Sequence, residues 1–418
     1  MSDHLGGRLP LHWMRRIRRL ALLLVLGIAG CRSDTTPVGQ EPADKERAEQ
    51  ARIDELRSLP YLAFSKKSAA EAERSGVVRY DSSRSWPGYN LYTIRGICRA
   101  DLVDMRGRLV NSWSYTPCQR WAQAELLPEG DLLVVGRETK RKRYLLRLSW
   151  QGKVIWKKDV QSHHDIERTP SGTLLALTLT NRRVVLNENE RLIVDNFLTR
   201  FDESGEFVDS LSLFDLLSAD PTKRALLANR AREGKANDLL HANSIEWMRE
   251  EHLFGTSPLY GPDHILVSLR HQDIAAIVDW RQRRLIWWWG RGELSGPHDA
   301  TLLENGQILV FDNGLGRGWS RIVQIDPVNN RIVWQYKAEP PESFFSIALG
   351  SCQRLPNGNT LISNSESGEA FEVTAAGEVV WKFVTPHQNA RHQRATIVRM
   401  KRYDPANIEP LLRSPKAG

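Results

Sequence analysis

Three histidines stand at matched positions of a repeated pattern in this sequence of 418 residues. His164 lies eight residues before the turn glycine Gly172, and His298 lies eight residues before Gly306. His241 likewise begins an apolar segment that follows a loop. Imidazole groups act as metal ligands, nucleophiles and proton carriers near neutral pH. The matched offsets predict that the three rings point toward one place in the fold.

An arginine completes this candidate site. Arg270 ends the segment HILVSLR, at the position that Asn313 has after QILVFD. Because side chains alternate along a strand, we expect only one of Arg270 and His271 to share the pocket. Two kinds of chemistry fit these groups. The imidazoles could bind a zinc or copper ion, or one imidazole could be a nucleophile while the other cations hold an anionic group in transfer.

The elements that must position these residues follow a repeated strand and turn pattern. Four segments consist of an apolar strand, a turn with glycine and a second apolar strand: 126–136, 168–178, 302–312 and 354–364. Six segments consist of a turn and a strand, five of them with tryptophan: 107–113, 152–156, 205–211, 283–289, 330–336 and 377–383. Blades of this kind bury their faces against one another. The sequence therefore predicts an all-β fold, a six-bladed β-propeller with a short N-terminal helix or tether and a helical insert.

Two further features of the repeat carry structural predictions. Trp156, Trp334 and Trp381 share one position of the repeat, so we expect them to pack between neighbouring blades. Residues 212–240 interrupt the repeat with leucines at helical spacing. They predict a helical excursion over one mouth of the propeller, which would mark the working face or be a plain surface feature.

The N-terminus has the composition of an export signal. Residues 1–30 contain four closely spaced arginines, the apolar run LALLLVLGI and the ending IAG before Cys31. This resembles the lipobox of bacterial lipoproteins, which implies lipid on Cys31 and an exported chain anchored to the cell envelope, on the periplasmic face of the outer membrane if the host is Gram-negative. The alternative is an ordinary signal peptide. We expect a tether and surface helix over 31–60, the propeller catalytic domain over 61–400 and a tail over 401–418.

The charge of the chain limits the partners that it can bind, and its cysteine content limits the disulfides that it can form. The formal charge of +8 falls to about +4 once the arginines and the aspartate of residues 1–30 are removed, and no basic stripe with aromatic residues suggests nucleic-acid binding. The basic run at 140–143 is expected to be a solvated hairpin tip. Cys98, Cys118 and Cys352 allow one disulfide and one free thiol, with the pairing open.

Several of these segments resemble one known family. HHDIERTPSGTLLALT, LLHANSIEW, ILVSLRHQD and GPHDATLLENGQILVFDNG, within roughly residues 85–385, resemble the bacterial arylsulfate sulfotransferases. The resemblance implies a six-bladed propeller that moves a sulfuryl group from an aryl sulfate donor to a phenolic acceptor. It implies no cofactor and no metal.

The resemblance assigns roles residue by residue. His298 matches the family's nucleophilic histidine, which becomes sulfated in a covalent intermediate. The residues that match those binding the sulfuryl oxygens and stabilising the transition state are His164, His241 and Arg270. Further candidates for binding substrate are Asn243, Asn313 and His163. The alternative function is a non-catalytic or metal-binding propeller at the cell surface that binds a ligand or a protein partner.

Overall fold

The computed structural model describes residues 40–58, 61, 63–65, 74–186, 188–228 and 237–413. The predicted signal and the lipidation site at Cys31 lie outside these residues. The chain divides into two compact units, Met1–Arg47 and Ala48–Gly418. Helix α1 (Gln40–Ser58) begins in the first unit and ends in the second, which holds all later elements. Within the described ranges, no helix has both the length and the apolar character needed to cross a bilayer.

Six antiparallel sheets form the propeller ring that the sequence predicts. Blade 1 contains, from the inside outward, β25 (Ile397–Tyr403), β2 (Tyr89–Ile94), β3 (Arg99–Val103) and β4 (Leu109–Ser114). Blade 2 contains β5 (Arg120–Leu126), β6 (Leu132–Arg137), β7 (Arg143–Leu148) and β8 (Val154–Lys158). Blade 3 contains β9 (Ser162–Arg168), β10 (Leu174–Leu186), β11 (Asn189–Phe201) and β12 (Phe207–Ser212).

The second half of the ring repeats this order. Blade 4 contains β13 (Ala242–Trp247), β14 (His264–Leu269), β15 (Ile274–Asp279) and β16 (Arg284–Trp289). Blade 5 contains β17 (His298–Leu302), β18 (Ile308–Asp312), β19 (Arg321–Asp326) and β20 (Arg331–Tyr336). Blade 6 contains β21 (Ser351–Arg354), β22 (Thr360–Asn364), β23 (Glu369–Val373), β24 (Val379–Val384) and an added outer strand, β1 (Gly76–Tyr80).

The last strand of the chain closes the ring. β25 pairs with β2, so the innermost strand of blade 1 comes from the opposite end of the sequence. It crosses the expected domain boundary at residue 400 and ends at Tyr403. Helix α4 (Pro405–Arg413) follows and buries Ile408 in the core of blades 1 and 2. The propeller unit therefore includes much of the segment that the sequence suggested was a tail.

Tryptophan side chains connect five of the six blades to the next blade in the ring. In five blades the indole nitrogen of an outer-strand tryptophan donates a hydrogen bond to the turn before the last strand of the following blade. The pairs are Trp113 with Ser149, Trp156 with Glu203, Trp287 with Asn330, Trp334 with Ala375 and Trp381 with Met105. The packing role predicted for the repeated tryptophans is therefore confirmed. The last pair joins blade 6 to blade 1.

The helical insert forms two short helices, α2 (Leu213–Ser218) and α3 (Pro221–Ala228). Ser212 caps α2 by accepting a hydrogen bond from the backbone N–H of Asp215. α2 contacts β11, β12 and β16, so this part of the insert packs between the outer strands of blades 3 and 4. The end of the insert leads directly to His241.

A buried guanidinium links three alternate blades across the axis. Arg399 of β25 contacts Asp165 of β9 at 3.0 Å and Asp299 of β17 at 2.8 Å. The two carboxylate side chains are only 2% and 8% exposed. Asp165 also accepts a hydrogen bond from the backbone N–H of Ile245, and Asp299 accepts one from Cys352. Five innermost strands thus share one network of charges and hydrogen bonds.

We expect Arg399→Met to destabilise the protein because it leaves two buried carboxylates without their cation. Removing one partner of a buried ion pair typically costs about 3–5 kcal/mol, and the loss is measured as a lower free energy of unfolding in urea. Arg413→Met is the control, since its pair with Glu409 is exposed and should contribute less than about 1 kcal/mol. Equal losses in the two variants would contradict the axial role of Arg399.

Candidate functional site

Irregular starts of the innermost strands bring the three predicted histidines together. His164 and His241 have positive φ angles of 58° and 49°, and Asp299, next to His298, has a φ of 50°. The ladders of β9, β13 and β17 shift register near these points, and such bulges re-aim side chains. The ring centroids of His164 and His241 are 4.9 Å apart. A fourth ring, that of Tyr61, lies 5.4–6.3 Å from all three histidines.

The hydroxyl of Tyr61 occupies the centre of this group. Its oxygen lies 2.7 Å from Nε2 of His241 and 3.4 Å from Nε2 of His298. The guanidinium carbons of Arg95 and Arg270 lie 5.1 Å and 5.7 Å from the centre of its ring. Tyr61 comes before the first blade and outside the repeat, so the sequence pattern gave no signal for it.

His298 presents an unprotonated nitrogen to the pocket. Its Nδ1 lies 2.7 Å from Oδ1 of Asn313 and 3.1 Å from the carbonyl oxygen of Gly296. Both atoms are acceptors, so Nδ1 carries the proton and Nε2 carries the lone pair. Burial, with the charge of Arg270 as the next cause, lowers the pKa of His298 to about 3. The ring is therefore a neutral base and a ready nucleophile at neutral pH.

Asn313 contacts His298 through its side-chain oxygen, and its predicted role in binding substrate stays a prediction. Its Nδ2 donates hydrogen bonds of 2.7 Å to the carbonyl oxygens of Ser346 and Leu349. These bonds fix the amide so that its oxygen faces the histidine. The side chain has no exposed surface, which leaves the imidazole between Asn313 and the pocket.

Asn243 also contacts the protein near His298, and its predicted role in binding substrate stays a prediction. Its Nδ2 donates to the carbonyl oxygen of Pro297 at 2.9 Å, and its Oδ1 accepts from Ser268. The residue before His298 is thereby held to blade 4. His163, the third candidate, does line the cavity, 5.1 Å from the ring of His164. Burial first, and then the charge of Arg143, lowers the pKa of His163 to about 3.

Asp238 and His241 form a paired acid and base that sequence reasoning missed. Oδ2 of Asp238 lies 2.6 Å from Nδ1 of His241, and its Oδ1 accepts the backbone N–H of the same histidine at 2.9 Å. Burial alone would raise the pKa of Asp238, but His241 beside it holds the pKa below its usual range. The carboxylate fixes the proton of His241 on Nδ1, so Nε2 can accept a proton from a hydroxyl in the pocket. Asp238 lies near the end of the insert, where no repeat marked it.

Both Arg270 and His271 reach the site, contrary to the alternation argument. β14 ends at Leu269, so the period of a strand no longer applies to the next two residues. Nη1 of Arg270 lies 3.2 Å from Nε2 of His271, and Nδ1 of His271 donates to the carbonyl oxygen of Asp238 at 2.5 Å. Burial, followed by the charge of His241, lowers the pKa of His271. His271 therefore links Arg270 to the Asp238–His241 pair.

One group of side chains in the described residues has the spacing of a metal site. The ligand atoms of Asp238, His241 and His271 lie within 4.8 Å of one another, so this set includes only one of the three histidines that the sequence suggested as ligands. Nδ1 of His241 already faces the carboxylate of Asp238, and Nε2 of His271 faces the guanidinium of Arg270. A neighbouring guanidinium disfavours a second cation, so these contacts suit proton transfer better than metal binding.

The pocket around Tyr61 is strongly basic. A cavity of about 550 Å³ is lined by four histidines, His163, His164, His241 and His271, and by five cationic side chains: Arg95, Arg120, Arg137, Lys140 and Arg143. Burial, and then the charges of its arginine neighbours, lowers the pKa of Arg120. Such crowding of like charges favours an anionic ligand. The run at 140–143 is an exposed hairpin tip as predicted, but two of its residues also line this pocket.

A disulfide borders the same wall of the pocket. Cys98 is bonded to Cys118, and Cys352 is a buried free thiol. The bonded cysteines lie close in sequence to Arg95 and Arg120, which line the cavity. The pairing that the sequence left open is thus the one that joins blade 1 to the start of blade 2.

Comparisons with known proteins agree with this architecture. A family model described as arylsulfotransferase (ASST) matches residues 123–387, which is more than half of the chain. No curated protein matches the sequence. The crystal structure of a protein of unknown function from Bacteroides caccae has a TM-score of 0.51 at 14% identity, covering 75% of this chain and 98% of that one. At this identity the likeness concerns the fold alone.

Two lyase structures are also similar. A streptogramin B lyase has a TM-score of 0.46 at 11% identity, over 82% of this chain and 96% of that chain. The virginiamycin B lyase from Staphylococcus aureus has a TM-score of 0.44 at 11% identity, over 79% and 89% of the two chains.

The buried neutral histidines should make stability depend on pH. The pKa of His163 is about 3 in the folded protein, whereas it is about 6.5 in an unfolded chain. Below about pH 6.5 the unfolded state therefore binds more protons, and the stability due to this residue is lost as the pH falls. Between about pH 7.5 and pH 5.5 we expect the wild type to lose about 1.4 kcal/mol more than His163→Gln. Urea unfolding at the two pH values measures this difference, and parallel losses would contradict it.

Proposed function

The chain belongs to the arylsulfotransferase family, and on this basis we propose that it moves a sulfuryl group from an aryl sulfate donor to a phenolic acceptor through a sulfated His298. One observation carries the proposal. The lone pair on Nε2 of His298 faces a phenolic hydroxyl, that of Tyr61, at 3.4 Å, and the same hydroxyl contacts a paired base at 2.7 Å. A phenol held in this position supports the proposal that the phenolic oxygen of a substrate would lie here.

In the first half of the reaction, Nε2 of His298 attacks the sulfur of the donor. The N–S bond forms as the S–O bond to the aryl group breaks, and the phenolate leaves with the electron pair of that bond. His241, when protonated, returns a proton to the leaving oxygen, with Asp238 stabilising the imidazolium. The lowered pKa of His298 keeps its nitrogen available for the attack.

In the second half, the acceptor phenol takes the place of the first. Its oxygen attacks the sulfur, its proton passes to Nε2 of His241, and the N–S bond breaks to restore the lone pair of His298. Sulfuryl transfer resembles phosphoryl transfer, in which a loose in-line transition state is stabilised mainly by positioning and by cations. The family resemblance assigns Arg270 and His164 to donating to the sulfuryl oxygens, and both side chains lie against the ring of Tyr61.

The basic pocket supports the choice of an anionic donor. Five cationic side chains line the cavity that leads from Tyr61, and an aryl sulfate would place its charge among them. Export and lipid anchoring through Cys31 remain our proposal from the lipobox resemblance. An enzyme placed in this way would meet aryl sulfates outside the cytoplasm.

We expect His298→Ala to abolish turnover. Purified protein is incubated with a chromogenic aryl sulfate and a phenol, and release of the coloured phenolate is followed. His252→Ala, which changes a histidine on an exposed turn of blade 4, should leave turnover unchanged. With donor alone, mass spectrometry should find a sulfuryl group on His298. Stoichiometric zinc or copper without turnover would instead support the metal-binding alternative.

We expect Asp238→Asn to weaken acid–base catalysis. A positioned general base typically contributes about 10²–10⁴-fold, so we expect kcat for a phenol acceptor to fall by about a hundredfold or more. The loss should shrink for nitrophenol acceptors, which are already ionised and need no base. Rates across a series of acceptor phenols of different pKa measure this trend. A uniform loss across the series would indicate a merely structural role.

A further inference from the structure

We propose that Tyr61 is an internal acceptor of the sulfuryl group, so that the protein sulfates its own Tyr61 on the phenolic oxygen. The inference rests on the proposed function, because the group would come from sulfated His298. It adds a modification site and an acceptor within the chain itself.

The contacts of the Tyr61 hydroxyl are those that an acceptor phenol requires. Its oxygen lies between the nucleophilic nitrogen of His298 at 3.4 Å and Nε2 of His241 at 2.7 Å. Asp238 holds the opposite nitrogen of His241 at 2.6 Å. The phenolic oxygen therefore lies beside both groups that the transfer needs. One is a base that can take its proton, and the other is the nitrogen that would carry the sulfuryl group.

The ring of Tyr61 is also held as a bound phenol would be. The guanidinium groups of Arg95 and Arg270 lie over it, and the ring of His164 meets it edge-on at a centroid distance of 5.4 Å. Burial raises the pKa of Tyr61 although both arginines oppose the effect. The hydroxyl thus keeps its proton until a base removes it, and His241 can act as that base.

Backbone contacts show that the chain places Tyr61 in the pocket. The N–H of Ser65 donates to the carbonyl oxygen of Arg394 at 2.7 Å, and the N–H of Thr396 donates to the carbonyl oxygen of Ala63 at 3.0 Å. Gly96 admits this segment closely, since a Cβ there would lie 2.9 Å from Cβ of Ala63. Residues just before the closing strand, together with Gly96, therefore hold Ala63 and Ser65, which lie close to Tyr61 in the sequence.

The transfer step balances without any further reactant. The phenolic oxygen attacks the sulfur on His298, an O–S bond forms, and the N–S bond breaks with its electron pair returning to Nε2. The phenolic proton goes to Nε2 of His241. The hydroxyl must first withdraw along the line to His298, because at 3.4 Å it stands where the sulfur will be. The product is itself an aryl sulfate, so the reverse step can reload His298.

The test uses the full chain with a chromogenic aryl sulfate and no external acceptor. We expect mass spectrometry after digestion to find the mass of one SO₃ group on the peptide with Tyr61 as well as on His298. Passing the group to Tyr61 frees His298 for a second donor, so the burst of phenolate should approach a second equivalent per chain. Tyr61→Phe should lose that second equivalent. Tyr80→Phe, on the exposed outer strand β1, should retain it.

The outcomes separate this inference from the proposed function. If His298 is sulfated and phenolate is released but Tyr61 carries no sulfuryl group, the inference is overturned while the function stands. If neither residue is modified and no phenolate appears, both are overturned. Sulfation of Tyr61 in His298→Ala would overturn the route through the histidine. Mass spectrometry of the wild-type chain shows whether Tyr61 carries a sulfuryl group, even if Tyr61→Phe does not fold.

Discussion

The ion network of Arg399 is the constraint on which the geometry of the site depends. Asp165 and Asp299 directly follow His164 and His298 in the chain, and both carboxylates share the one guanidinium. Two buried carboxylates without that cation would repel each other and lose their hydration. The strands β9 and β17 must therefore keep a fixed separation across the axis, which holds the neighbouring imidazoles of His164 and His298 in place.

The repeat is regular in the outer strands of the ring and is interrupted in the innermost strands at the site. In five blades a tryptophan of the outer strand donates an equivalent hydrogen bond to the next blade, and this makes the ring regular. The innermost strands break the pattern with bulges and left-handed residues such as His164 and His241. Each of these residues adopts a backbone conformation that is costly for a non-glycine side chain, and the surrounding blades hold it there. The candidate site residues of this propeller thus lie where the ladder is interrupted.

The sequence predicted the propeller and the meeting of the histidines because both depend on spacing within a repeat. Tyr61 and Asp238 lie outside that repeat, so no period could mark them. The contact of Asn313 with His298 could not be predicted for another reason. The direction of the Asn313 amide depends on carbonyl groups that come from Ser346 and Leu349. The arginines of the pocket come from separate elements of blades 1 and 2, where each alone looks like a surface residue. Contacts between distant segments decide all of these features.

The closing strand β25 also determines when during synthesis the propeller can finish folding. β25 is the last strand of the chain, yet it supplies the inner edge of blade 1 and the guanidinium of Arg399. During synthesis the first blade must wait, with β2 unpaired on one side, until nearly the whole chain has been made. The complete ring around the pocket therefore appears only at the final stage of folding, so an unfinished chain holds no closed propeller.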